Sequence, residues 1–143
     1  MSRIQIPLPE TYVFSTNISV RITDLNYGAH LGNDSLLSIL HEARVQFLKH
    51  FGYTELNIEG NGIIMSDVAI QYQSEAFYED ILQIEMGIQE FTRVSFDIVY
   101  RVTCKQRSIA LAKTGIVCYD YENKKVVAVP NAFISKVTDP KTI

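Results

Sequence analysis

Residues 33–52 set the terms on which the rest of this chain can fold. Leu36, Leu40, Ala43, Phe47 and Phe51 recur at steps of four and three, and Leu37, Ile39 and Leu48 widen the stripe. That spacing predicts a helix whose apolar face is broader than a surface helix needs, so it must be covered from more than one side. Asn33, Asp34 or Ser35 can cap its start, Lys49 and His50 suit its C-terminal dipole, and Gly52 fits just past its end. About 17 helical residues span about 25 Å.

Most of what remains alternates with a period of two. From Tyr12 to Ile22 the even positions Tyr12, Phe14, Ile18, Val20 and Ile22 are apolar apart from Thr16, while Ser15, Asn17, Ser19 and Arg21 are polar. Leu82, Ile84, Met86 and Ile88 alternate with Gln83, Glu85 and Gln89, and Val94, Phe96, Ile98, Tyr100 and Val102 with Ser95, Asp97 and Arg101. These are half-buried strands. Ile63–Tyr72 and Ile109–Tyr119 are apolar on both faces in part, as central or interface-covered strands are, and Lys125–Val129 reads as a short edge strand. The connections Phe91–Arg93 and Lys105–Ser108 are short enough for antiparallel hairpins. One strand, one long apolar helix, then four or five antiparallel strands is an α+β order, packed most economically by wrapping the sheet around the helix. Val99, Ala110, Ala112 and Ile116 are expected to leave apolar surface on the other sheet face and edges, which a symmetric dimer would bury.

At 143 residues, 47% hydrophobic and 20% charged, the chain fits one domain over residues 1–143. A net charge of −3, with only Lys124 and Lys125 adjacent among the cations, argues against nucleic acid. No apolar run approaches the ~20 residues that cross a bilayer, so no membrane is expected. The start, MSRIQIPLPE, has no apolar core of a secretion signal. Cys104 and Cys118 fall on predicted strands and read as buried free thiols of a reducing compartment, which points to the cytoplasm. The three histidines lack metal-site spacing, so neither metal nor cofactor is expected.

Polar residues able to act on a substrate concentrate between the first strand and the helix, in Asp24-Leu-Asn26-Tyr-Gly28-Ala-His30-Leu-Gly32-Asn33. A carboxylate, an amide and an imidazole lie within seven positions there, and the segment runs into a helix N-terminus, whose free N–H groups stabilise a developing oxyanion. Turn and cap chemistry alone would also enrich such a junction in Asp, Asn and Gly.

The order of elements together with Arg21-Ile-Thr-Asp24-Leu-Asn26-Tyr-Gly-Ala-His30-Leu-Gly-Asn33 and the helical His41-Glu42-Ala43-Arg44 resembles the hot-dog-fold acyl thioesterases. These comprise the 4-hydroxybenzoyl-CoA thioesterase family and the related long-chain acyl-CoA and plant acyl-carrier-protein enzymes. Asp67-Val-Ala-Ile-Gln-Tyr72 and Ala76-Phe-Tyr-Glu-Asp80 resemble that family's next strand and turn, so the likeness covers about residues 12–130. It implies hydrolysis of an acyl-CoA-type thioester, with His30 at the family histidine and the backbone N–H groups of Gly32 and Asn33 at the oxyanion position. Glu42 and Arg44 match the helical pair.

One departure matters. The family's usual catalytic carboxylate is Asn26 here, and an amide is neither a general base nor a comparable nucleophile. Asp24, Glu42 or Asp67 could supply the missing base, or Asn26 and His30 could only orient a ligand. Glu42 could also be a structural acid paired with Arg44 or a sheet arginine; His41 and His50 read as helix-surface residues. Arg93, Arg101, Lys105 and Arg107 fit either CoA phosphates or solvated strand faces. The expected function is acyl-thioester hydrolysis by a homodimer, with a homotetramer as the further option. The alternatives are a non-catalytic acyl-thioester-binding subunit and an enoyl-CoA hydratase or dehydratase, although the latter motif would need a proline and a histidine one residue earlier.

Overall fold

A computed structural model describes residues 3–139. Its strands are β1 (Phe14–Ser19), β2 (Gly62–Tyr72), β3 (Ile81–Gln89), β4 (Ser95–Cys104), β5 (Arg107–Asp120) and β6 (Lys125–Val126). The long helix, α1 (Asn33–His50), lies between β1 and β2 in sequence, and a short α2 (Asn131–Thr138) follows β6. The strands form one antiparallel sheet in the order β1-β3-β4-β5-β2, with β6 pairing to β5. This is the expected α+β hot-dog arrangement, a six-stranded antiparallel sheet and one long helix.

The alternation explains the core. Leu82, Ile84 and Met86 of β3 and Phe96, Ile98, Tyr100 and Val102 of β4 sit on the sheet's inner face with at most 1% exposure. They share one core with Leu36, Ile39, Leu40, Ala43, Phe47 and Leu48 of α1. On β5 the same face carries the small residues Ala110, Ala112 and Thr114, all fully buried, which lets a helix approach the sheet closely. The helix ends with Phe51 as its cap and Gly52 at φ +88°, the left-handed position glycine takes without strain.

A buried polar network ties α1 to the sheet. Arg44 Nε donates to Glu55 at 3.0 Å and Arg44 Nη1 to the Tyr100 hydroxyl at 3.3 Å. Tyr100 and Thr114 share a 2.9 Å hydrogen bond, and His41 Nε2 lies 2.7 Å from the other Glu55 oxygen. Burial acts to raise the Glu55 carboxyl, but the hydrogen bonds from His41 and Arg44 outweigh it and hold the group below its ordinary range.

Several expectations are corrected. The helix is capped by Gly32, not by Asn33, Asp34 or Ser35, because the helical conformation already begins at Asn33. The first strand covers only residues 14–19 of its predicted run: Ile22 is 65% exposed in a 3₁₀ turn, while Val13, off the alternation, is buried. The segment 125–129 contributes a strand of two residues. No sequence period marks residues 131–138, yet Phe133 and Val137, one helical turn apart, fill the end of the core.

Val99, Ala110, Ala112 and Ile116 were expected to leave apolar surface for a partner, but each is at most 1% exposed within a single chain. Ala110, Ala112 and Ile116 belong to the core with α1. On the outer face, the stretch from Pro7 to Thr11 lies across β3. Gln89 donates to the Pro7 carbonyl at 2.9 Å, and a Cβ at Gly87, the register partner of Val99, would come within 2.6 Å of Pro9. Exposed apolar side chains instead line β2 at the end of the sheet: Ile64, Met65, Val68 and Tyr72.

Candidate active site

The loop between β1 and α1 is built by its own polar side chains. Asp24 closes a 3₁₀ turn by accepting hydrogen bonds from the Arg21 backbone N–H (2.8 Å), Nε (3.3 Å) and Nη2 (3.2 Å). The Asn26 side-chain oxygen accepts the Gly28 N–H at 2.8 Å, an Asx turn that starts the reversal of the chain. The Asn26 N–H then bonds the His30 carbonyl at 2.9 Å, while Ala29 adopts φ +64° to close the turn. Leu31 N–H donates to the Ala76 carbonyl at 2.8 Å and Gly32 N–H to the Asp24 carbonyl at 3.0 Å, anchoring the chain just after His30.

Beyond this loop α1 begins without a side-chain cap. Its first N–H groups have no intrahelical partner and carry the positive end of the helix dipole. A Cβ added at Gly32 would lie 2.9 Å from the Asp34 carboxylate, which would have to swing aside. Facing the helix start is a cavity of about 240 Å³ lined by His30, Leu31, Gly32, Asn33, Leu36, Tyr72, Gln73, Ser74, Glu75, Ala76 and Ile109. Leu31, Leu36, Ala76 and Ile109 make its walls apolar; His30, Glu75 and the helix start supply the polar end. Tyr72 donates to the Asn33 carbonyl at 3.0 Å, fixing β2 to the helix start. Burial, with Asp34 nearby, raises the Tyr72 hydroxyl, so it stays protonated.

Of the residues singled out in sequence, the cavity gathers His30, Gly32 and Asn33 and leaves the carboxylates outside. Asp24 is 4% exposed and committed to Arg21. Asn26 lies behind Gly32, whose added Cβ would be 3.6 Å from the Asn26 Cβ. Glu42 stands on the outside of α1, accepting from Gln46 at 2.7 Å rather than pairing with Arg44. Asp67 is held by Lys113 on β5 at 2.9 Å, with 59% of its side chain exposed. Among the basic candidates, Arg101 pairs with Glu85 at 2.8 Å and covers the Tyr12 ring. Only Arg107 reaches the cavity rim, donating to Ser74 Oγ at 2.9 Å and to the Glu75 carbonyl at 2.6 Å.

The residue that sequence reasoning missed is Glu75, whose Oε1 lies 3.8 Å from His30 Nε2. It sits in the β2–β3 connection, between two stretches already matched to the family pattern, and nothing in its local sequence sets it apart from a turn acid.

A helix start opening onto an apolar cavity beside an imidazole is a carbonyl-polarising arrangement. Residues 20–137 match the thioesterase-like superfamily, and the chain belongs to it; the chemistry of that class is thioester hydrolysis. A protein of Aquifex aeolicus (strain VF5) named "Putative esterase" is 24% identical over 130 residues, covering 90% of this chain and 98% of the relative. Among solved structures, Slr0204, a 1,4-dihydroxy-2-naphthoyl-CoA thioesterase from Synechocystis, superposes with a TM-score of 0.81 at 19% identity over 90% of this chain and 97% of its own. BH1999, a gentisyl-coenzyme A thioesterase, gives 0.78 at 18% identity over 87% and 100%.

Proposed function

We propose that this protein, acting as one domain over residues 1–143, hydrolyses the thioester of a small acyl-CoA to the free acid and coenzyme A. The observation that carries the reading is the uncapped start of α1 opening onto an apolar cavity next to His30. The first-turn N–H groups, Asn33 foremost, hydrogen-bond the thioester oxygen and stabilise the charge that develops as water adds. His30 orients that water. At about 240 Å³ the cavity is smaller than drug-sized sites, which suits a short-chain or single-ring acyl group. The gentisyl-CoA named for one structural neighbour is of that single-ring kind, whereas the naphthoyl-CoA named for the other carries two fused rings. The buried free thiols Cys104 and Cys118 fit a reducing, cytoplasmic setting; burial pushes Cys118 up to about 11, which keeps it an inert thiol.

The working unit in this reading is a homodimer formed along β2. This strand ends the sheet, runs for 11 residues and exposes Ile64, Met65 and Val68, the kind of edge another chain pairs with. Light scattering should give twice the chain mass of 16.2 kDa.

A panel of short-chain, aryl and long-chain acyl-CoAs, read by release of free thiol, tests the function. Thiol release from the short or aryl members supports the proposal. Tight binding without release would make the protein a non-catalytic acyl-thioester carrier. Loss of crotonyl-CoA absorbance without thiol release would make it a hydratase.

A further inference from the structure

We infer that Glu75 is the general base that activates water at this site, taking the place that Asn26 cannot fill. The inference rests on the thioester-hydrolysis reading above and names the group that moves the proton. Among the described residues, the other carboxylates considered for the role are committed elsewhere: Asp24 to Arg21, Glu42 to Gln46 and Asp67 to Lys113. Asp34 stands at the helix start but does not line this cavity. Glu75 does, together with His30 and the first residues of α1.

The 3.8 Å between His30 Nε2 and Glu75 Oε1 is too long for a direct hydrogen bond, and a water can bond both atoms at once. With 63% of its side chain exposed, Glu75 is reached by solvent. Its backbone is nonetheless fixed on every side. Arg107 holds its carbonyl, Ile109 O accepts the N–H of Gln73 and of Ser74, and Ala76 O accepts the Leu31 N–H. Arg107 and the Ser108 carbonyl also hold the Ser74 hydroxyl. The backbone beneath the carboxylate is therefore held in place beside the cavity, while the exposed side chain reaches toward His30.

The reaction closes without a cofactor. Glu75 takes one proton from the bridging water as the water oxygen bonds the thioester carbonyl carbon, and the C=O π pair moves onto oxygen beneath the first-turn N–H groups of α1. The C=O then re-forms, the C–S bond breaks with its electron pair leaving on sulfur, and Glu75 returns its proton to the thiolate. One water is consumed, and one acid and one thiol are released.

The test uses full-length Glu75→Gln and Glu75→Ala with the acyl-CoA on which the parent is most active. In Glu75→Gln, kcat should fall about 10²- to 10⁴-fold with KM within about threefold of the parent. In Glu75→Ala, added formate should restore turnover in proportion to its concentration, a readout that a merely structural role would not move. Parent-like kcat in Glu75→Gln overturns the assignment, as does an inactive Glu75→Ala that formate does not rescue and whose melting temperature has dropped. Either result leaves the hydrolase reading standing. A parent that releases thiol from no acyl-CoA overturns both.

Discussion

Two polar clusters flank α1, and they are wired in opposite ways. In the first, Arg44, Glu55, Tyr100, Thr114 and His41 spend their hydrogen bonds on one another, and Arg44, Tyr100 and Thr114 are buried. In the second, the start of α1 has no cap, His30 and Glu75 stop 3.8 Å short of each other, and the cavity walls around them are apolar. A buried polar group left unpaired costs stability, so a saturated cluster holds the fold together. Groups left unpaired at the rim of a cavity give up that stabilisation and remain available to a ligand. The two helical residues matched to the family by sequence, Glu42 and Arg44, fall outside the second cluster; the groups that face the cavity come from the turns at its ends.

Breaking the saturated cluster should have the largest effect. Arg44→Met leaves Glu55 with His41 alone and the Tyr100 hydroxyl with Thr114 alone, and should cost about 2 kcal/mol of unfolding free energy in urea titration. Truncating the open cluster should leave stability alone: His30→Ala should lower kcat about 100-fold, with a melting temperature within about 2 °C of the parent. If that variant unfolds early, the distinction between the clusters fails. Acid should probe the first cluster selectively. Because Glu55 is held below its ordinary value of 4.5 in the folded chain, the stability it contributes is fully present above that value and is lost as pH falls through the lower, folded one. Urea midpoints at about pH 6 and about pH 4 should therefore diverge less in Glu55→Gln than in the parent. The smallest change should come from Asn26→Asp, which keeps the oxygen that accepts from Gly28 and should leave turnover within about threefold. A large gain there would return the base to the loop.

The sequence announced the regular elements because each had one dominant period. Alternation in 82–88 and, Val99 apart, in 94–102, and three-four spacing in 36–51 survive folding almost unchanged, since each of these patterns turns its apolar positions to a single core. The short helix at 131–138 was hidden: eight residues, including the β-branched Ile134, Val137 and Thr138, carry little intrinsic helix signal, and only the fit of Phe133 and Val137 into the core selects the helix. At the site, His30, Gly32 and Asn33 were readable because they are contiguous with a helix start. Glu75 was not, because its partner is 45 positions away and its neighbours Gln73 and Ser74 look like ordinary turn residues. Asp24, Glu42 and Asp67 are held outside the cavity for a physical reason. A carboxylate near an arginine, lysine or amide donor is captured by it, and sequence does not show which donor lies within reach in space.

The segment over β3 carries a last consequence. Pro7, Pro9 and Gln89 fasten the leading residues across the back of the sheet. They act as a roof over the outer side of β3 at Gly87. Proteolytic removal of that roof would bare Gly87 and its neighbour Val99 and give the sheet an apolar patch on its back, where a separate molecule could stack.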